Sequence, residues 1–172
     1  MKQVTQILII SAHLVAGTAT AAGPSDAQIA SIVVTANQVD IDAGKLAQKR
    51  GSTRDARAFA TQMITDHSGV NKQAVELVTK LKVTPEDNPT SQSLKAGGVE
   101  NVKMLRTLKG ARFDKAYIDH EVAYHEQVLG AIDSTLIPNA QNAELKALLV
   151  AVRPAFVGHF EHAKKIQASL TK

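Results

Sequence analysis

Apolar residues recur every three or four positions along four long stretches of this chain, the spacing of helices that bury one face. The first stretch runs from Asp26 to about Arg50, with Ile29, Ile32, Val33, Ala36, Val39 and Ala43 on one side. Ser25 and Gln28 form a capping box at its start, and Gly51 is its stop. The second, capped by Ser52 or Thr53, reaches about Lys82 and turns Phe59, Met63, Val70, Ala74 and Leu77 inward. The third spans Ala111 to about Ser134, with Phe113, Tyr117, Tyr124, Val128 and Ile132 inward. The fourth spans about Gln141 to Leu170, with Leu145, Leu148, Val152, Phe156, Ala163 and Ile166 inward.

The connections set the topology. Short loops follow the first and third long helices, and short loops make antiparallel neighbours. The stretch from Val83 to Gly110 is long enough to run the length of a bundle. It opens on the turn-rich Pro85-Glu86-Asp87-Asn88-Pro89 and carries a short helix, about Ser91 to Leu108, containing Gly97-Gly98. Ile137-Pro138-Asn139 is expected to turn the chain before the last helix. The predicted fold is all-α, a four-helix bundle of two antiparallel hairpins joined by a long crossover that carries the extra helix.

Residues 1–22 stand apart from this pattern. Met1-Lys2 is a short positive start, Ile7 to Ala16 is mostly apolar, and Ala19-Thr20-Ala21-Ala22 offers small residues for cleavage. This is the pattern of a secretory signal peptide. Its apolar stretch falls short of the roughly 20 residues a spanning helix needs. The expected mature domain is residues 23–172, without a transmembrane segment, in the periplasm or secreted. There is no cysteine among the 172 residues, which excludes a disulfide scaffold, thiolate ligands and a cysteine nucleophile. The net charge of +4 includes no dense Lys/Arg run, so no nucleic-acid partner is expected.

Placed on these helices, every long helix carries a potential metal ligand on or at the edge of its apolar face. Asp40 falls just inside the edge of the first apolar face, and Asp42 points away. His67 lies mid-face on the second helix, with Asp66 at the margin. Glu121 and His125 lie mid-face on the third, one turn apart, and His159 lies mid-face on the fourth, with His162 near the edge. Buried carboxylates and imidazoles are costly unless paired or bound to metal. At about 1.5 Å per residue all five sit within one or two turns of the bundle's midplane, with His125 the outlier by about a turn. The set lacks the Glu-x-x-His pairs of carboxylate di-iron sites, since Ile64 and Phe156 precede His67 and His159 by three. Three imidazoles and two carboxylates suit one divalent ion, Zn, Cu or Fe(II). A metal-free network is the alternative, with Asp40 and Glu121 accepting from the histidines and from Tyr117 and Tyr124. Pro154, one turn before His159, predicts a kink or a break in the last helix.

Other signatures are missing. There is no glycine-rich phosphate loop and no nucleophile elbow. The side chains of Asp119-His120-Glu121 fan out around their helix, and Lys164-Lys165 reads as a solvated face. No catalytic set emerges. Two function classes stay open: a metal-binding envelope protein, and a non-catalytic one whose surface meets another envelope protein or a membrane.

The ordered segments Asp40-Ile41-Asp42-Ala43-Gly44-Lys45-Leu46-Ala47, Ala58-Phe59-Ala60-Thr61-Gln62-Met63-Ile64-Thr65-Asp66-His67, Phe113-Asp114-Lys115-Ala116-Tyr117, His125-Glu126, and Pro154 with His159 are shared with a known family. On these the chain resembles the bacterial domain-of-unknown-function 4142 family, over roughly Ala27 to Leu170. Family members carry Glu where this chain has Asp40 and Asp42. The resemblance implies a ferritin-like bundle, exported to the periplasm or associated with the outer membrane. It carries no reaction with it.

Overall fold

The computed structural model describes residues 23–170, so the expected signal peptide lies outside the described residues. The described chain is helical, with no strand. Helix α1 spans Asp26–Arg50, α2 Arg54–Leu81, α3 Pro89–Thr107, α4 Ala111–Ala131, α5 Ile137–Asn139 and α6 Ala143–Leu170. A π-helical stretch, Ile132–Leu136, joins α4 to α5. No described helix is long and apolar enough to cross a membrane.

The helix ends follow their cap chemistry. The Ser25 hydroxyl accepts from the Gln28 N–H, and the Gln28 side chain accepts from the Ser25 N–H. Thr53 caps α2, which ends at Lys82 in the left-handed conformation, φ 54°. The predicted short helix starts earlier than expected. Pro89 occupies its first turn, where the missing N–H costs nothing, and Asn88 and Ser91 cap each other. Gly97-Gly98 does not interrupt it.

Two other boundaries differ from expectation. Helical structure continues past Ser134 to Asn139, and the chain turns at residues 140–142 instead. Pro138 cannot donate to the carbonyl four residues back, and the widened π stretch accommodates it. Within that stretch the Ile137 N–H bonds to the Ile132 carbonyl, five residues back. Helix α6 begins two residues later than predicted, with the Asn142 side chain accepting from the Glu144 and Leu145 N–H groups. It then runs unbroken through Pro154, which corrects the expectation of a break there.

Helix α1 lies between α2 and α3, also touches α4, and α4 packs on α6. Helix α3 runs beside α1 in the same direction. At one end the Glu86 N–H bonds to the Ala27 carbonyl and Asn88 Nδ2 to the Gln28 carbonyl. At the other, the Arg50 guanidinium donates to the Arg106 and Leu108 carbonyls.

The apolar core falls into two clusters. One takes Ile29 to Val39 from α1, Val70 and Ala74 from α2, Tyr124 and Val128 from α4, and Leu145 to Phe156 from α6. The other takes Ala43 and Ala47, then Phe59 to Met63, then Phe113 to Ile118, then Ala163 and Ile166. On α1, α2 and α6 the gap between clusters holds Asp40, His67 and His159. On α4 it holds Glu121, with His125 beside Tyr124. A polar layer therefore separates two greasy ones at a common level.

Candidate metal centre

The five polar residues expected on the inward faces meet in that layer. One ligating atom from each of His67, His125 and His159 lies within 4.8 Å of the others, and the same holds for Asp40, Glu121 and His125. His125 belongs to both groups, which corrects its expected place a turn out of level. Helical side chains lean toward the helix N-terminus. The His125 ring does so and bonds through Nδ1 to the Glu121 carbonyl, 3.0 Å away. His67, His125 and Glu121 are fully buried, Asp40 is 2% exposed and His159 3%.

Each imidazole is held from behind. Asn37 Nδ2 donates to the Val33 carbonyl at 2.8 Å, which turns its Oδ1 toward His67 Nδ1 at 2.7 Å. His67 Nδ1 is therefore the protonated nitrogen, and Nε2 carries the lone pair. His125 Nδ1 donates to a carbonyl, leaving its Nε2 as the lone pair. His159 Nε2 donates to Asp66 Oδ2 at 2.9 Å, leaving Nδ1. The three remaining nitrogens have no hydrogen-bond partner. The ring centroids stand 5.2–5.6 Å apart, and the Phe156 ring lies 5.0 Å from that of His67.

Electrostatics keep the lone pairs free. Burial, reinforced by His125 and His159, pushes His67 down to about 2. Burial pushes His125 down to about 4, and lowers His159 despite its contact with Asp66. The carboxyls go the other way. Burial raises Asp40 to about 8, and burial together with Asp40 raises Glu121 well above its ordinary value. Burial thus favours neutral imidazoles and shifts the carboxyl pair toward its protonated form.

The metal-free network of the alternative reading has its members in place but few regular hydrogen bonds among them. The Tyr124 hydroxyl donates to the Ala36 carbonyl at 3.1 Å. Tyr117 OH, Asp40 Oδ1 and both Glu121 oxygens make no hydrogen bond of regular geometry, although Asp40 and Tyr117 lie near enough to Glu121 to shift its titration. His67 Nε2 approaches Asp40 Oδ2 only to 3.5 Å. Buried polar atoms rarely go unpaired, so this concentration of donors and acceptors is a group that could hold a metal ion.

Of the remaining candidates, Asp42 is exposed and accepts from Gln38, as expected of an outward residue. His162 bonds to Gln62 and stays outside both groups. Sequence reasoning missed Asn37 and the role of Asp66. Asn37 sits beside the inward Ala36, so a carboxamide at a buried helix position was the available signal.

No curated protein and no solved structure matches the chain. Residues 12–166 match the family model described as a domain of unknown function, DUF4142, and with the segments around Asp40, His67, His125 and His159 lying inside that match, the chain belongs to this family.

Proposed function

We propose that this protein binds a divalent transition-metal ion in the buried layer. The ligands are His67 Nε2, His125 Nε2 and His159 Nδ1, completed from the Asp40–Glu121 side. One observation carries the reading: all three histidines spend one nitrogen on a supporting acceptor and leave the other unpartnered. Metal-bound histidines are oriented in this way by carbonyls and carboxylates. An imidazole-rich set favours Zn, Cu or Fe over Mg or Ca. The reading is of a protein that holds a metal; it assigns no reaction.

Two companion readings belong with it. The helices α1, α2, α4 and α6 are a ferritin-like bundle of two hairpins, with α3 carried on the crossover. Residues 1–22 are a signal peptide, so the protein works in the periplasm or outside the cell. N-terminal sequencing of protein recovered from fractionated cells tests export, with Ala22 or Gly23 as the expected first residue.

Elemental analysis of protein purified without a histidine tag tests the metal reading. Near-stoichiometric Zn, Cu or Fe in the wild type, absent from the His67→Ala/His159→Ala variant, is the expected result. Failure of the wild type to take up any of these ions on titration overturns it, and the layer is then architecture within a non-catalytic envelope protein.

A further inference from the structure

A second site lies on the opposite side of α1 from α2. Helices α1 and α3 run side by side and enclose a cleft of about 890 Å³, within the size range of small-molecule pockets. From Val34 to Lys49 its wall on α1 is about 22 Å long. The floor is apolar, with Val34 and Val39 from α1 and Val99 and Val102 from α3. Val99, 60% exposed, stands at the rim beside these residues and extends the apolar surface of the cleft.

The charges along this cleft are uneven. Lys45, Lys49, Lys103 and Arg106 line the end toward the helix C-termini, and Lys95 lies nearer the other end. Asp42 is the one acid in the lining, and Gln38 already donates to it. Lys103 meets Glu100 at 3.6 Å. Among the described residues no ion pair or hydrogen bond engages the side chains of Lys45, Lys49, Lys95 or Arg106. Helix dipoles account for Lys49 and Arg106, each in the last turn of its helix, because that effect fades beyond one turn. Lys45 lies farther in, where the dipole no longer reaches and no acid pairs with it, and Lys103 has only Glu100 on its own helix.

An apolar trough with cations gathered at one end fits one chemistry. We propose that the cleft binds a single-chain anionic amphiphile, a fatty-acid-like molecule. Its acidic head sits among Lys45, Lys49, Lys103 and Arg106, and its chain lies over Val102, Val99, Val39 and Val34. An acidic peptide would leave the aliphatic floor uncovered, and a flat membrane surface would not enter a trough. The proposal is independent of the metal centre, which lies in the bundle's interior.

Calorimetric titration of the full chain with laurate, below its micelle concentration, tests this. Dodecanol, polyglutamate and phosphatidylglycerol vesicles are run in parallel. The expected result is saturable one-to-one binding of laurate, with dodecanol weaker by about tenfold or more, since one charged contact is worth about that much. The Lys45→Gln/Lys49→Gln/Arg106→Gln variant should lose at least about tenfold for laurate and nothing for dodecanol. Val99→Asp, at an exposed position that leaves the core intact, should weaken both. Absence of laurate binding overturns the proposal. So do equal binding of laurate and dodecanol, displacement of laurate by polyglutamate, and capture by vesicles without binding of free laurate.

Discussion

Asn37 fixes the tautomer of His67. Its amide is anchored to the Val33 carbonyl by Nδ2, so only Oδ1 faces the ring, 2.7 Å from Nδ1. The free Nε2 then points into the layer without rearrangement on binding. Asn37→Ala should lower metal affinity about 10- to 100-fold, the usual cost of losing such a support. It should also destabilise the metal-free fold by about 1–3 kcal/mol, because a buried N–H loses its acceptor. Asp66→Ala should cost a similar factor in affinity but less stability, since Asp66 is 41% exposed and water replaces it. Competition titrations against a chromophoric chelator, beside urea melts, separate the two effects.

Much of this layer was legible in the chain, because helical periodicity places Asp40, His67, Glu121 and His159 on buried faces. The level of His125 was not, because it depends on how a ring leans along its helix. Asn37 and the role of Asp66 were missed for a related reason. Each acts on a residue of another helix, and one-helix periodicity carries no such pairing. The helix ends went wrong at prolines. Pro89 starts α3 and Pro138 sits within continuing helical structure, whereas local sterics alone read both as breaks.

Metal binding should release protons from the carboxyl pair. The histidines are already neutral at pH 7, with His67 held near 2 and His125 near 4, so they have none to give. Asp40 is held up to about 8 and Glu121 is also raised, so an incoming cation displaces protons from this pair. Affinity should rise with pH up to about 8. Calorimetry in buffers of different ionisation enthalpy should show net proton release at pH 7, reduced in Asp40→Asn.

The metal-free protein should have its greatest stability near neutral pH and lose it in base. Histidines depressed by folding bind more protons when unfolded, so their contribution rises with pH up to their ordinary value of 6.5. Asp40, raised from 3.8 to about 8, acts in reverse: the folded state holds the extra proton, and stability falls as pH climbs through that window. Above 6.5 only the carboxyl effect remains. Melting temperature should therefore fall from about pH 6.5 to 8 without metal. With a bound ion the pair is ionised and matched, and the decline should vanish.

Asp114 is a separate structural anchor. It is fully buried, and its carboxylate accepts from the Ser52 N–H, the Ser52 hydroxyl and the Thr53 N–H at 2.7–2.8 Å, tying the α1–α2 turn to α4. Burial alone would raise this carboxyl, but these bonds outweigh it and hold it below the ordinary range. Asp114→Ala should cost about 1–3 kcal/mol, since it removes a charge-assisted set of three bonds while water can reach the exposed Ser52. The contribution is present above the ordinary carboxylate range and is lost as pH falls through the lowered value. The variant should therefore be less sensitive to acid than the wild type, as well as weaker at pH 7.

Gly97 and Gly98 are adjacent in one helix, yet substituting them should have opposite effects. A Cβ on Gly98 would lie 2.7 Å from Val39 Cγ2 and 3.0 Å from Cγ1. Val39 is buried and β-branched, so its side chain has no second rotamer into which to retreat. Either α3 moves off α1 or the contact stays strained, and Gly98→Ala should destabilise by about 1–3 kcal/mol. A Cβ on Gly97 meets nothing within 4 Å. There only the helix preference operates, and Gly97→Ala should stabilise by about 0.5–1 kcal/mol. Thermal melts of the two variants would decide whether α3 is pressed against α1 at this point. If both alanines stabilise, α3 stands away from α1, and the walls of the cationic cleft are not set by the Gly98–Val39 contact.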